Sequence, residues 1–246
     1  MRRTTLLRAM VVTVAALATI PTSAAVVGNW SGSLRSWNSS DMANLKGIVT
    51  TAGHTVLADA AITAGLGGST VFVIGEGTSA PTAGEISILD SWVTGGGRLL
   101  LFNNSGCSGC AATNAILTAF ASSISVSSTS AVVAAFPTSP FTTTPNNLVG
   151  LTLVTSPGDA VTGGTQIAGS FISYQAHGAG YVIVFGDRSD HNIFNSTAAD
   201  INAQLFLNIL SGPGAPAAAI PAAGHLGLLI LFALVALAGL MALRAS

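Results

Sequence analysis

Short uninterrupted apolar runs, separated by stretches with helical spacing, organise the middle of this chain. VFVIGE (Val71 to Glu76) and RLLLF (Arg98 to Phe102) are runs of the kind buried on both faces of a parallel sheet. Between them, Pro81 and Thr82 open a segment in which Ile86, Leu89 and Val93 recur along one stripe, with Ile88 and Trp92 beside it. Thr82 and Glu85 stand at capping-box spacing, and the triplet Gly95, Gly96, Gly97 ends the segment. Strand, helix and strand in that order predict a right-handed parallel crossover.

The flanking pattern extends this unit. Val26 to Asn29 is a short apolar run. Ser40 is placed to cap a helix whose Met42, Leu45, Ile48 and Val49 share one face, Gly53 ends it, and HTVLA (His54 to Ala58) predicts a strand. Ala111 to Ala121 predicts a further helix. Residues 122–147 are rich in Ser, Thr and Pro and predict no defined structure. LTLVT (Leu151 to Thr155), FISYQ and YVIVFGD predict strands, the last two joined by a hairpin turn at His177, Gly178, Ala179 and Gly180. Thr197, with Asp200 three residues on, predicts the cap of a last helix with Ile201, Leu205 and Ile209 inward.

The two ends read differently. Residues 1–25 have the three parts of a signal peptide: Arg2, Arg3 and Arg8, then the apolar Ala9 to Ile20, then Pro21 with the small residues Ser23, Ala24 and Ala25. Cleavage is expected after Ala25, or one residue earlier. At the other end, residues 212–225 form a Gly/Pro/Ala-rich linker and a short motif. The uncharged run Leu226 to Leu243 is then long enough for one transmembrane helix, with Arg244 on the cytoplasmic side. The expectation is an exported domain, residues 26–211, held on the outer side of a membrane by that helix unless the tail is processed.

Composition narrows the function classes. Only 7% of the chain is charged and the formal net charge is −1, against roughly 25% charged residues in ordinary soluble proteins. Without a basic patch there is nothing to hold a phosphate backbone, so nucleic acid is excluded as a partner. The two cysteines, Cys107 and Cys110, predict a disulfide in an oxidising compartment. Two cysteines without paired histidines give too few ligands for zinc, and no metal or cofactor is expected.

The run from Gly53 to Phe102, with Gly53-His54-x-Val56, VFVIGEG and the helix ending in WVTGGGRLLLF, resembles the class I glutamine amidotransferase-like fold. YVIVFGDRSD followed by NAQLFLNIL resembles the closing strand and helix of its non-enzymatic, extracytoplasmic members. The resemblance implies a three-layer, flavodoxin-like α/β sandwich with a mostly parallel sheet. Ile220, Pro221 and Gly227, followed by the helix and LMALR up to Arg244, resemble the IPTL-CTERM sorting signals of Gram-negative bacteria, which implies a sorting or processing enzyme as a partner.

In such a sheet, ligands bind beyond the carboxyl ends of the strands. That edge would gather Asn29 and Trp30, Glu76, the segment Asn103 to Cys110 including Asn104, and Asp187 to His191 including Asp190. The family's nucleophile sits in Gly-x-Cys-x-Gly directly after the equivalent of RLLLF. Ser105-Gly106-Cys107-Ser108-Gly109 is similar, but Cys107 is five residues past Phe102, and strict alignment puts Asn104 in the nucleophile's place. The family's His-x-Glu pair is missing, with only Asp187 and His191 to substitute for it. The preferred reading is a non-catalytic binding or structural role at the cell envelope, with its ligand unidentified. Two alternatives stay open: a hydrolase or amidotransferase-like enzyme using Cys107 with His191 as base, and a C-x-x-C thiol–disulfide protein.

Overall fold

The computed structural model describes residues 24–154, 158–187 and 200–212. Its centre is a seven-stranded mixed sheet. β1 (Val26–Trp30), β2 (Thr55–Ala60), β3 (Val71–Gly75) and β4 (Arg98–Phe102) alternate with α1 (Ala43–Thr51) and α2 (Ala83–Thr94). α3 (Cys110–Ala119), β5 (Ser125–Ser130), β6 (Asp159–Thr162) and β7 (Thr165–Gln166) follow. β8 (Ile172–His177), β9 (Gly180–Phe185) and α4 (Ile201–Ser211) complete the chain. The strand order is β2-β1-β3-β4-β9-β8-β7, with β5 and β6 forming a separate antiparallel pair.

β2, β1, β3, β4 and β9 run parallel, whereas β8 and β7 run antiparallel to their neighbours. The reversal at β8 follows from its connection. His177 pairs with Gly180 across a tight turn, and a turn that short can join only antiparallel strands, because a parallel return needs a crossover of a dozen or more residues. The sheet is therefore α/β and mostly parallel, but it is mixed, and the expected flavodoxin-like sandwich is corrected on that point.

Period-two alternation in the buried strands sends side chains to two cores. Val71, Val73, Leu100, Phe102, Ile183 and Phe185 face one side, where α1 and α4 pack with Leu45, Val49, Leu205 and Ile209. Phe72, Ile74, Leu99, Leu101, Val182 and Val184 face the other, covered by Leu89 and Val93 of α2 and Ile116 and Leu117 of α3. The capping box on α2 is present in full: Glu85 N donates to Thr82 Oγ1 at 3.3 Å and Thr82 N donates to Glu85 Oε2 at 2.8 Å.

Several sequence expectations change. Ser40 does not cap α1 but opens a 3-10 turn, Ser40–Met42, that leads into it. The residue preceding α4 at its N-terminal cap is Asp200, with no side-chain cap bond; Thr197 lies outside the described residues. Residues 151–154 form no strand, only a bridge from Thr152 to Ala135. They belong to an irregular segment that buries Phe136, Phe141, Leu148 and Leu153 in the α1/α4 core. The Ser/Thr-rich stretch before it contains β5, which pairs with β6 and is clamped from the side by Asn114: Asn114 Nδ2 donates to Val126 O and Val126 N donates to Asn114 Oδ1, both at 3.0 Å.

Ala25 is already part of the fold. It is buried, its N–H donates to His54 Nδ1 at 2.9 Å and its carbonyl accepts from Thr55 N at 2.9 Å. His54 is therefore structural, and burial, with the Arg98 charge adding to it, lowers its pKa. Arg98 is itself buried, which lowers its guanidinium to about 10. Its Nη1 donates to Ile209 O at 2.7 Å and Gly212 O at 3.1 Å, satisfying carbonyls that the end of α4 leaves without helical partners. No helix among the described residues is long and apolar enough to cross a membrane, and the expected spanning run, 226–243, lies outside them.

Candidate functional site

The carboxyl ends of β3, β4 and β9 meet at one edge of the sheet, where open α/β sheets receive ligands. Glu76 follows β3, Asn103 follows β4 and Asp187 follows β9, and all three are buried. β6 brings in a fourth buried polar group, Asp159. Asp159 N donates to Gly186 O at 2.7 Å. This approach requires glycine at position 186, since any side chain there would collide with the Asp159 carbonyl.

The segment after β4 folds back on itself. Asn104 N donates to Ser108 O at 2.9 Å, Ser108 N returns the bond to Asn104 O at 3.1 Å, and Asn104 Oδ1 accepts from Ser105 N at 2.9 Å. Within this loop Cys107 and Cys110 form the disulfide expected of the chain's two cysteines, and Cys110 is the first residue of α3. Gly109 between them has φ 88°, and a methyl group on it would lie 3.0 Å from Glu76 Cα and 3.2 Å from Phe102 O. Only glycine meets both the left-handed backbone and the close approach to β3 and β4.

Asp159 holds the loop in place. Gly106 N donates to its Oδ1 at 3.1 Å and Cys107 N to its Oδ2 at 2.8 Å, while Cys110 Sγ lies 3.7 Å from Oδ2. Burial raises the Asp159 carboxyl above its ordinary value, and the nearby Asp187 charge adds to the rise. The two N–H donors, Cys107 and Gly106, oppose it. The folded state thus binds this proton more tightly than the unfolded chain does. Stability contributed by Asp159 increases as pH falls from the raised value toward the ordinary carboxylate value, and is lost again as pH rises. Comparing denaturation midpoints of the wild type and Asp159→Asn across mildly acidic pH should show this gain only in the wild type; parallel profiles would contradict it.

The residues anticipated from sequence separate into three groups. Glu76, Asn104, Cys107, Cys110 and Asp187 are at this edge, with Gly158 packed against Asp187 Cβ. Asn29 is instead committed to the scaffold: its Oδ1 accepts from Trp37 N at 3.1 Å and its Nδ2 donates to Leu57 O at 3.2 Å. Trp30 packs into the α2/α3 core. Asp190 and His191, like Ile220, Pro221, Gly227 and Arg244, lie outside the described residues.

Sequence reasoning missed Asp159, which sits in a Ser-Pro-Gly-Asp stretch that reads as a turn. One available signal was scarcity: the chain has only nine acidic residues, and this one is followed directly by apolar Ala160 and Val161.

No family model matches the chain, and no characterised protein matches it in sequence. Its fold is similar to that of the mmIFT52 N-terminal domain, with a TM-score of 0.59 and 14% identity over 76% of this chain and 98% of that one. It is also similar to cytoplasmic protein STM3548 from Salmonella typhimurium, with a TM-score of 0.53 and 11% identity over 78% of this chain and 99% of that one. Neither is an amidotransferase or a flavodoxin. With the mixed sheet, these neighbours overturn the amidotransferase-like resemblance, and the absence of any matching family model leaves the sorting-signal resemblance unsupported as well. At these identities the likeness extends to the fold alone, and any activity must be argued from the site itself.

Proposed function

We propose that this chain is an exported, membrane-tethered α/β domain whose role at the bacterial envelope is binding or structural rather than catalytic. The observation that carries this reading is the disulfide. Cys107 is the residue placed to act as a nucleophile at the ligand edge, and its sulfur is bonded to Cys110. Catalysis through a cysteine nucleophile needs a thiolate beside a base, and an oxidised pair supplies none. Export is supported by the charged, apolar and small-residue order of residues 1–25, and by a disulfide of the kind that persists outside the cytoplasm. The tether is supported by the uncharged run 226–243.

The test is the redox state and mass of the chain taken directly from envelope fractions, alkylated before lysis. We expect no alkylation at Cys107 or Cys110 and a mass lacking the first 25 residues, or the first 24, the latter keeping the Ala25 N–H bonded to His54 and the carbonyl bonded to Thr55. Two rapidly alkylated thiols would contradict the non-catalytic reading, and an intact leader would contradict export by this signal.

A further inference from the structure

The disulfide and Asp159 form a set of donors that the sequence does not bring together. Cys107 Sγ, Cys110 Sγ and an Asp159 carboxylate oxygen all lie within 4.8 Å of one another. A tetrahedral divalent cation with metal–ligand bonds of about 2.0–2.3 Å fits donors at such separations once the sulfurs are no longer bonded to each other. We propose that reduction of Cys107–Cys110 converts this loop into a site for a thiophilic divalent cation of the zinc class, held by the two thiolates and Asp159.

Four features of the loop favour this over a passive bridge. Asp159 is oriented in advance by two backbone donors, Gly106 N and Cys107 N, the kind of outer support that fixes a ligating carboxylate. Cys110 opens a ten-residue helix, where the dipole favours a thiolate. Asn103 is buried and its Oδ1 has no hydrogen-bond partner among the described residues; it lies 3.5 Å from the position a methyl group would take on Gly109, inside the same loop. Finally, two further acidic residues, Glu76 and Asp187, are buried at the same strand ends, after β3 and β9. Three ligands leave a fourth position for water, the pattern of an open zinc site.

An external dithiol delivers two electrons and two protons to the Cys107–Cys110 bond and is itself oxidised to a disulfide. The cation then displaces the two thiol protons to solvent as two metal–sulfur bonds form. The oxidised state, with its sulfurs joined, offers the cation a single carboxylate. The inference rests on this geometry and is independent of where the protein resides.

The probe is Cd2+, followed through its thiolate charge-transfer absorption in the full-length chain. After reduction with a phosphine and removal of the reductant under argon, we expect one Cd2+ per chain. The oxidised chain and the Cys107→Ser/Cys110→Ser double variant should show no such band. Asp159→Asn should weaken binding by about tenfold or more. Because that variant could fold poorly, the reduced wild type is also titrated in denaturant, where a bare C-x-x-C pair remains. Folded protein should bind about tenfold or more tightly than the denatured chain. Equal affinity of the folded and denatured chains, an unchanged affinity in a folded Asp159→Asn, or no band after reduction would each overturn the proposal.

Discussion

Replacing Phe206 by alanine should lower the unfolding free energy by about 3–5 kcal/mol, the cost of removing a large aromatic from a packed core. Phe206 lies at the centre of four rings. It stacks on Phe102 of β4 and Phe185 of β9 at 5.8 and 5.5 Å, and meets Trp37 edge-on at 6.0 Å. Phe102 and Phe185 also stack on each other at 4.3 Å. Truncation therefore removes contacts with three aromatic neighbours at once, and the buried backbones of β4 and β9 leave little freedom to close the space. Denaturant unfolding followed by circular dichroism should show a lower midpoint with an unchanged slope; a loss below about 1 kcal/mol would mean that the core collapses around the gap. Both strands end at the candidate site, so the variant should also loosen the loop carrying Cys107.

The second large effect is polar. Asn208 of α4 is buried and uses its whole amide: Oδ1 accepts from Asn146 N at 2.8 Å and Asn146 Nδ2 at 2.9 Å, and Nδ2 donates to Phe141 O at 3.1 Å and Asn146 O at 2.8 Å. Asn208→Ala leaves the backbone groups of Asn146 and Phe141 without these partners. The Phe141 carbonyl is buried and the Asn146 groups are half-buried; with a fully buried group left unpaired costing about 1–3 kcal/mol, we expect a loss of about 2–4 kcal/mol. Hydrogen exchange should locate the change in residues 141–148, with Asn146 N most affected, while β3 and β4 keep their protection. Uniform loss of protection across the sheet would show instead that Asn208 supports the whole fold rather than this segment.

These two residues illustrate what sequence could and could not convey. The β3–α2–β4 unit was readable because its signals are local. Two apolar runs, a capping box and a glycine stop each specify their structure within a few residues. Phe206 could be placed on a helix, but nothing in its neighbourhood announces Phe102, more than a hundred positions away. β5 was unreadable for a different reason. Ser125 to Ser130 buries only Val126, so there is no alternation to detect, and its position depends on Asn114 and on pairing with β6.

The site shows the same division. Cys107, Cys110, Glu76 and Asp187 were reached through the strand ends that precede them. Asp159 was not, because its place depends on backbone pairing with Gly186 and on a disulfide loop 49 residues before it. The amidotransferase-like reading failed where local motifs were asked to identify a family: glycine-ended helices and apolar strands recur throughout α/β proteins and specify geometry, not ancestry or activity.

The Arg98 bond to the end of α4 fixes a direction. Arg98 begins β4 and Asn103 follows its last residue, so the two ends of this strand are about 16 Å apart at roughly 3.3 Å per residue. Because the guanidinium grips Ile209 and Gly212, the chain leaves α4 at the Arg98 end, the opposite end of the strand from the carboxylates and the disulfide. The Cys107 loop and the point where the described chain leaves α4 thus lie at opposite ends of the same strand, so a change at one is separated from the other by the full length of β4.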